Sequence, residues 1–219
     1  MYNELESTID ILKSDFESIA TERKRVLEEV ADYIVNELHA TGSAKLNFIC
    51  TLNSRRSQMA QIWAQTAADY HDIEGVETYS GGVTSTEFDK RAVDAIERAG
   101  FRYRDPNEEK DNPTYSVRFD KDKDHIICYS KTFNSTDNPP EGFAAIMTCS
   151  EADVKCPIIP GAAYRQLITY DDPKEADGSD NEAEIYDQCC HQIGREMLYM
   201  MNHVKSELWD KLMNFYSDV

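Results

Sequence analysis

Strand-like and helix-like segments alternate from Ala44 onward, a pattern that predicts an α/β fold around a parallel sheet. The candidate strands are short apolar runs closed by glycine, proline or charged turns. Three of them run straight into residues that carry chemistry: Cys50, Cys149 and the pair Asp171-Asp172. Open α/β sheets place ligands at the carboxyl ends of their strands, so these residues are expected to share one edge.

Residues 3–40 predict a helical extension before that domain. Leu5, Ile9, Leu12, Phe16 and Ile19 make one apolar stripe; the register breaks near Thr21, and Leu27, Val30, Ile34 and Leu38 begin another. Thr41-Gly42-Ser43 closes it. Two readings stand: a helical hairpin folded onto the core, which is favoured because so few heptads hold a coiled coil poorly, or an arm forming a homodimer. Leu46 to Cys50 is the first strand and Ser57 to Tyr70 the first helix; Val76 to Ser80 is a strand ending in Gly81-Gly82, and Phe88 to Ala99 a helix. The charged residues 102–113 read as loop, and Tyr115 to Tyr129 as an inserted β-hairpin, placed near 114–130. Phe143 to Thr148 is a central strand, Leu167 to Tyr170 another, and Glu182 to Asp218 a long amphipathic helix. The division is thus an extension over 1–43 and a catalytic domain over 44–219.

With 41 acidic and 23 basic residues the net charge is −18, which argues against nucleic acid or an anionic membrane as partner. No apolar run approaches a membrane span, and the acidic start is unlike a signal peptide, so the cytoplasm is expected. Cysteines there are reduced, reactive or buried.

The most informative segment is Cys50-Thr51-Leu52-Asn53-Ser54-Arg55-Arg56-Ser57, between strand and helix. Backbone N–H groups in such a loop, with a helix start behind them, cradle an oxyanion. Arg56 adds a planar fork for two oxygens of a tetrahedral anion. Positive surroundings of this kind favour a cysteine thiolate, the nucleophilic form. Cys149 and Cys156 flank a second segment. Were it helical, their sulfurs would lie roughly 10 Å apart, whereas a disulfide wants α-carbons roughly 4.4–6.8 Å apart. A redox pair would need that segment to unwind; two unrelated buried thiols are the alternative. In Asp171-Asp172-Pro173 an aspartate could serve as general acid, or simply as turn or cap. Cys189-Cys190-His191 reads as core, because consecutive helical residues do not converge on a metal.

Taken together, Phe48 to Ala60, Cys149 to Pro157 and Asp171 to Pro173 resemble the thioredoxin-coupled arsenate reductases, which share their fold with low-molecular-weight protein tyrosine phosphatases. The resemblance covers roughly residues 45–205 and implies a flavodoxin-like three-layer fold with a four-stranded parallel sheet, to which the hairpin and helical extension are additions. It implies that Cys50 attacks arsenate held by Arg56 and the loop, Thr51 to Arg55 and Ser57, while Asp172 protonates the leaving oxygen. Cys149 and Cys156 would then complete a disulfide relay serving a thioredoxin-like donor, with no tightly bound cofactor. Asn53, Ser57 and Ser80 would frame the loop. Leu52 stands where glycine is usual, Arg55 where a second cysteine is common, and Gln61 where some members bind potassium through glutamate, which counts against a potassium site. The aromatics that tyrosine phosphatases carry after Asp-Pro are absent from Lys174 to Gly178, which favours a small oxyanion. A phosphatase with incidental Cys149 and Cys156, and a non-catalytic oxyanion-binding regulatory module, are the rival functions.

Overall fold

A computed structural model describes residues 1–104, 111–156 and 158–217. Pro157, the charged stretch 105–110 and the end of the last helix at Asp218 lie outside the described residues. Helix α1 (Asn3–Ser14) is followed by a short 3-10 turn over Phe16–Ser18 and then α2 (Thr21–Thr41). The break falls where the two apolar stripes change register. Gly42 ends α2 in the left-handed conformation, φ 78°, that glycine adopts without a Cβ penalty. Both stripes are consumed within the chain: Leu5, Ile9, Leu27, Val30 and Ile34 are buried in the main core.

Strand β1 (Ala44–Cys50), helix α3 (Arg56–Tyr70), strand β2 (Val76–Gly82) and helix α4 (Lys90–Arg98) follow in the expected order. Asp89 caps α4 by accepting from the Arg91 amide. The insertion then holds β3 (Arg102–Arg104), β4 (Tyr115–Arg118) and β5 (Ile126–Cys128), a three-stranded antiparallel sheet rather than a hairpin. Its first strand, expected as loop, is only three residues long and reads as charge because Arg102 and Arg104 point outward. Its pairing with Ser116–Arg118 of β4, not its own sequence, makes it a strand.

The chain returns through β6 (Phe143–Met147), α5 (Ser150–Lys155), β7 (Ala162–Leu167) and α6 (Glu182–Ser217). Strand β7 lies earlier than the Leu167–Tyr170 run suggested. It is the sheet edge, so its residues are only partly covered and carry no continuous apolar signal. The main sheet has the order β2-β1-β6-β7, all parallel.

The layers on its two faces are unequal. Leu46, Phe48, Ala144 and Ile146 face a large core shared with α1 to α4 and α6. Ile49, Ala145 and Met147 face a small cluster completed by Ala152 and Cys149, with Phe133 and Cys156 at its margin. Trp63 anchors the thick side: it is fully buried, meets Phe101 edge-on at 4.9 Å between ring centres, and donates its indole N–H to Cys190 Sγ at 3.3 Å. The β1 and β6 ends and the turn after β7 bring the three chemical segments to one edge.

Candidate active site

The loop between β1 and α3 is held by its carbonyls. Those of Cys50 and Thr51 accept from the amides of Val83 and Thr84, at 3.1 and 3.0 Å. The Leu52 carbonyl accepts from Ser130 Oγ at 2.8 Å, that of Asn53 from Gln58 Nε2 at 3.2 Å, and that of Ser54 from the Asp89 amide at 2.9 Å. Five successive carbonyls are thus tied outside the loop. In a planar trans peptide the following N–H points the opposite way, so these bonds turn the amides toward the loop centre. The Asn53 amide demonstrates the result by donating to Cys50 Sγ at 3.1 Å.

The one left-handed residue in the loop is Asn53, φ 51°, not Leu52. Asparagine tolerates that conformation far better than leucine does, so the loop closes without glycine at position 52. The fully buried Asn53 side chain is also the hub: it donates to Ser57 Oγ at 2.8 Å and accepts from the Lys131 amide at 2.9 Å. Ser57 Oγ in turn lies 3.1 Å from Cys50 Sγ. Ser80 does not join this frame. Its hydroxyl is buried without a hydrogen bond among the described residues, and only its carbonyl is engaged, by Asn138 Nδ2 at 3.0 Å. The residues that replace it, Ser130 and Lys131, come from the return leg of the insertion. No sequence motif marks them, because they act through a hydroxyl and a backbone amide.

Gly82 lies against the loop. A Cβ there would sit 2.2 Å from the Thr84 carbonyl oxygen and 2.8 Å from the Asn53 nitrogen, so the loop fits only against glycine.

Above Cys50 opens a cavity of about 200 Å³, lined among others by Thr51, Leu52, Ser54, Arg56 and Asp172. Asn53 and Ser57 stand behind it. Arg56 donates to the Tyr170 carbonyl at 2.9 Å and to Asp172 Oδ2 at 2.6 Å. Asp172 also caps the 3-10 helix Pro173–Ala176 by accepting from the Lys174 amide at 3.2 Å, so it is both a cap and a site residue. Arg55 reaches the cavity wall, but its charge is committed: its guanidinium pairs with Asp89 at 3.0 Å and donates to Tyr186 Oη at 3.1 Å, standing 3.7 Å from Asp172. Buried Arg55 stays charged because Asp89 is buried with it. Tyr186 has its pKa raised by burial first, then by its bond to Asp177.

Cys149 is buried at the amino end of α5, with Sγ 3.4 Å from Thr51 Oγ1 of the loop. Thr51 also donates to Glu151 Oε2 at 3.3 Å, which puts Glu151 on the cavity wall beside Lys174; no motif marks either residue. Cys156 closes the other end of α5 and is partly exposed; both cysteines are free thiols. The intervening residues are regular helix, the arrangement in which the two cannot bond. Gln61, the expected place of a potassium ligand in some relatives, uses its amide on the Thr78 carbonyl at 3.1 Å. The remaining thiols are core: burial pushes Cys128, Cys189 and Cys190 up to about 12.

A parallel sheet with a cysteine-centred loop of inward amides at its carboxyl edge defines an enzyme class acting on tetrahedral oxyanions. No protein-family model matches the chain. Curated arsenate reductases do: that of Staphylococcus aureus strain Newman is 31% identical over 127 residues, 58% of this chain and 76% of the relative. The arsenate reductase of Bacillus subtilis strain 168 is 30% identical over 136 residues, 62% of this chain and 78% of its own. A low-molecular-weight phosphotyrosine phosphatase from Vibrio cholerae O395 shares the fold, with a TM-score of 0.51 at 13% identity, covering 73% of this chain and 95% of that one. The chain belongs to the arsenate reductase and low-molecular-weight phosphatase family. No helix among the described residues is long and apolar enough to cross a membrane.

Proposed function

We propose that this protein reduces arsenate through Cys50, Cys149 and Cys156. Cys50 Sγ attacks the arsenic of an anion held by the loop amides and Arg56, and Asp172 delivers the proton with which the displaced oxygen leaves as water. Arsenate must take Arg56 from Asp172 to bind, and that exchange frees the carboxyl group for proton transfer. Cys149 then attacks Cys50 Sγ; the sulfur–arsenic bond breaks, its electron pair stays on arsenic, and arsenite departs. Cys156 attacks Cys149, Cys50 leaves as thiolate, and a thioredoxin-like donor reduces the resulting disulfide.

The observation that carries this reading over simple hydrolysis is the contact of Cys149 Sγ with Thr51 Oγ1 at 3.4 Å, which sets a second thiol at the rim of the oxyanion loop. Among the described residues the cavity also offers no aromatic side chain to sandwich a phenol ring, which weighs against phosphotyrosine. The expected result is arsenate-dependent oxidation of thioredoxin that vanishes in Cys149→Ser while hydrolysis of an aryl phosphate survives. Hydrolysis indifferent to both Cys149→Ser and Cys156→Ser, with no arsenate turnover, would instead make the protein a phosphatase.

A further inference from the structure

Helix α5 separates the two relay thiols, and little of it is held by burial. It has six residues, well short of the length at which a helix persists in water, and only Ala152 among them is buried; Val154 is 78% exposed. It lies on the thin face of the sheet, where the apolar cluster is small.

Its carboxyl end is gripped from the sheet edge. Arg165 of β7 stands in register with Ala145, a residue of that thin face. Its Nη2 donates to the Asp153 carbonyl at 3.3 Å, to the Cys156 carbonyl at 3.3 Å and to the Asp153 carboxylate. Carbonyls in the last turn of a helix have no partner within it, and a guanidinium supplies one. The neighbouring Arg165 Nε–H is buried without a hydrogen bond among the described residues, so releasing the side chain lets that donor reach water.

We propose that Arg165 is a latch on the relay helix, a positioning residue that sets how readily Cys156 reaches Cys149. The proposal rests on the disulfide relay above. With the latch closed, α5 stays helical, both thiols remain free and Cys149 is kept beside Thr51. Forming the 149–156 bond needs α5 to unwind, and Arg165 must then give up the carbonyls of Asp153 and Cys156.

The test equilibrates the full chain with a buffer of reduced and oxidised glutathione. The bond between Cys149 and Cys156 forms as oxidised glutathione splits into two thiols, both electrons passing to glutathione. Mass spectrometry reads the ratio of disulfide to dithiol. In Arg165→Met that ratio is expected to rise about tenfold at fixed glutathione poise, the worth of one charge-assisted hydrogen bond. Arg165→Lys, which keeps the charge and loses the fork, should fall between. Aryl phosphate hydrolysis by Cys50 should stay within about twofold in both, which separates a latch from general loss of structure. Equal ratios in the wild type and both variants would overturn the latch and leave the relay standing. Failure of the wild type to form the 149–156 disulfide would overturn the relay, and the latch with it.

Discussion

Replacing Asp172 with asparagine should move binding and turnover in opposite directions. Arg56 Nη2 lies 2.6 Å from Asp172 Oδ2, with Arg55 Nη1 3.7 Å from the other carboxylate oxygen. An incoming oxyanion competes with that carboxylate for the same guanidinium. A charge-assisted hydrogen bond contributes about 1.5–3 kcal/mol, and partial exposure of Asp172 reduces this to about 1.4 kcal/mol, or tenfold. Asparagine keeps the shape and removes the charge. Inorganic phosphate, measured by calorimetric titration, should therefore bind Asp172→Asn about tenfold more tightly. Turnover of an aryl phosphate with a poor leaving group should fall by about 10²–10⁴, the usual worth of a general acid. Phosphate affinity unchanged or weakened in the variant would refute the claim that Asp172 withholds Arg56.

Three other outcomes are expected. Gly82→Ala sets a Cβ 2.2 Å from the Thr84 carbonyl, and overpacking of that kind costs about 1–3 kcal/mol; phosphate binding should weaken on the order of tenfold while far-UV dichroism is unchanged, and full binding would contradict the loop geometry. Alkylation of the native protein at pH 8 should spare Cys128, Cys189 and Cys190, whose thiols burial pushes up to about 12, and peptide mapping would expose any labelling there. Burial, with Lys13 and Lys205 nearby, lowers His71 from 6.5 to about 4. The unfolded chain then takes up the proton first, so stability present above pH 6.5 is lost as the pH falls toward 4. The loss is at most about 3 kcal/mol, nearer 2 after screening, and His71→Gln should flatten that slope in urea titrations; an unaltered slope would remove His71 as its cause.

Elements whose residues report their own environment were legible in the sequence. The β6 run Phe143–Met147 is apolar because both faces are covered, and α3 begins where Arg56 and Ser57 leave the loop. Elements created by partners were not. Strand β7 has no fully buried residue and exists through pairing with β6, and β3 exists through pairing with β4. The same divide runs through the site. Cys50 and Arg56 are recognisable by type and spacing, whereas Asp172, which alone reads as turn or cap, is singled out by the family resemblance. Asn53 was legible only through the resemblance, and its left-handed φ and its place as hub arise once Ser57 and Lys131 surround it. Ser80, chosen by resemblance, has a hydroxyl that touches none of the frame, because the insertion supplies the bonds instead.

The two stretches outside the family resemblance each reach a different part of the candidate site. Ser130 and Lys131, leaving the insertion, brace the loop around Cys50. From α2, Arg23 donates to the Thr169 carbonyl at 3.0 Å and lies over the Tyr170 ring at 5.0 Å, steadying the approach to Asp172. Trimming this protein to a family-sized minimal version would therefore keep Cys50, Arg56 and Asp172 and remove the contacts that hold them in place. Parts that look like additions to the fold thus brace Cys50 on one side and the approach to Asp172 on the other.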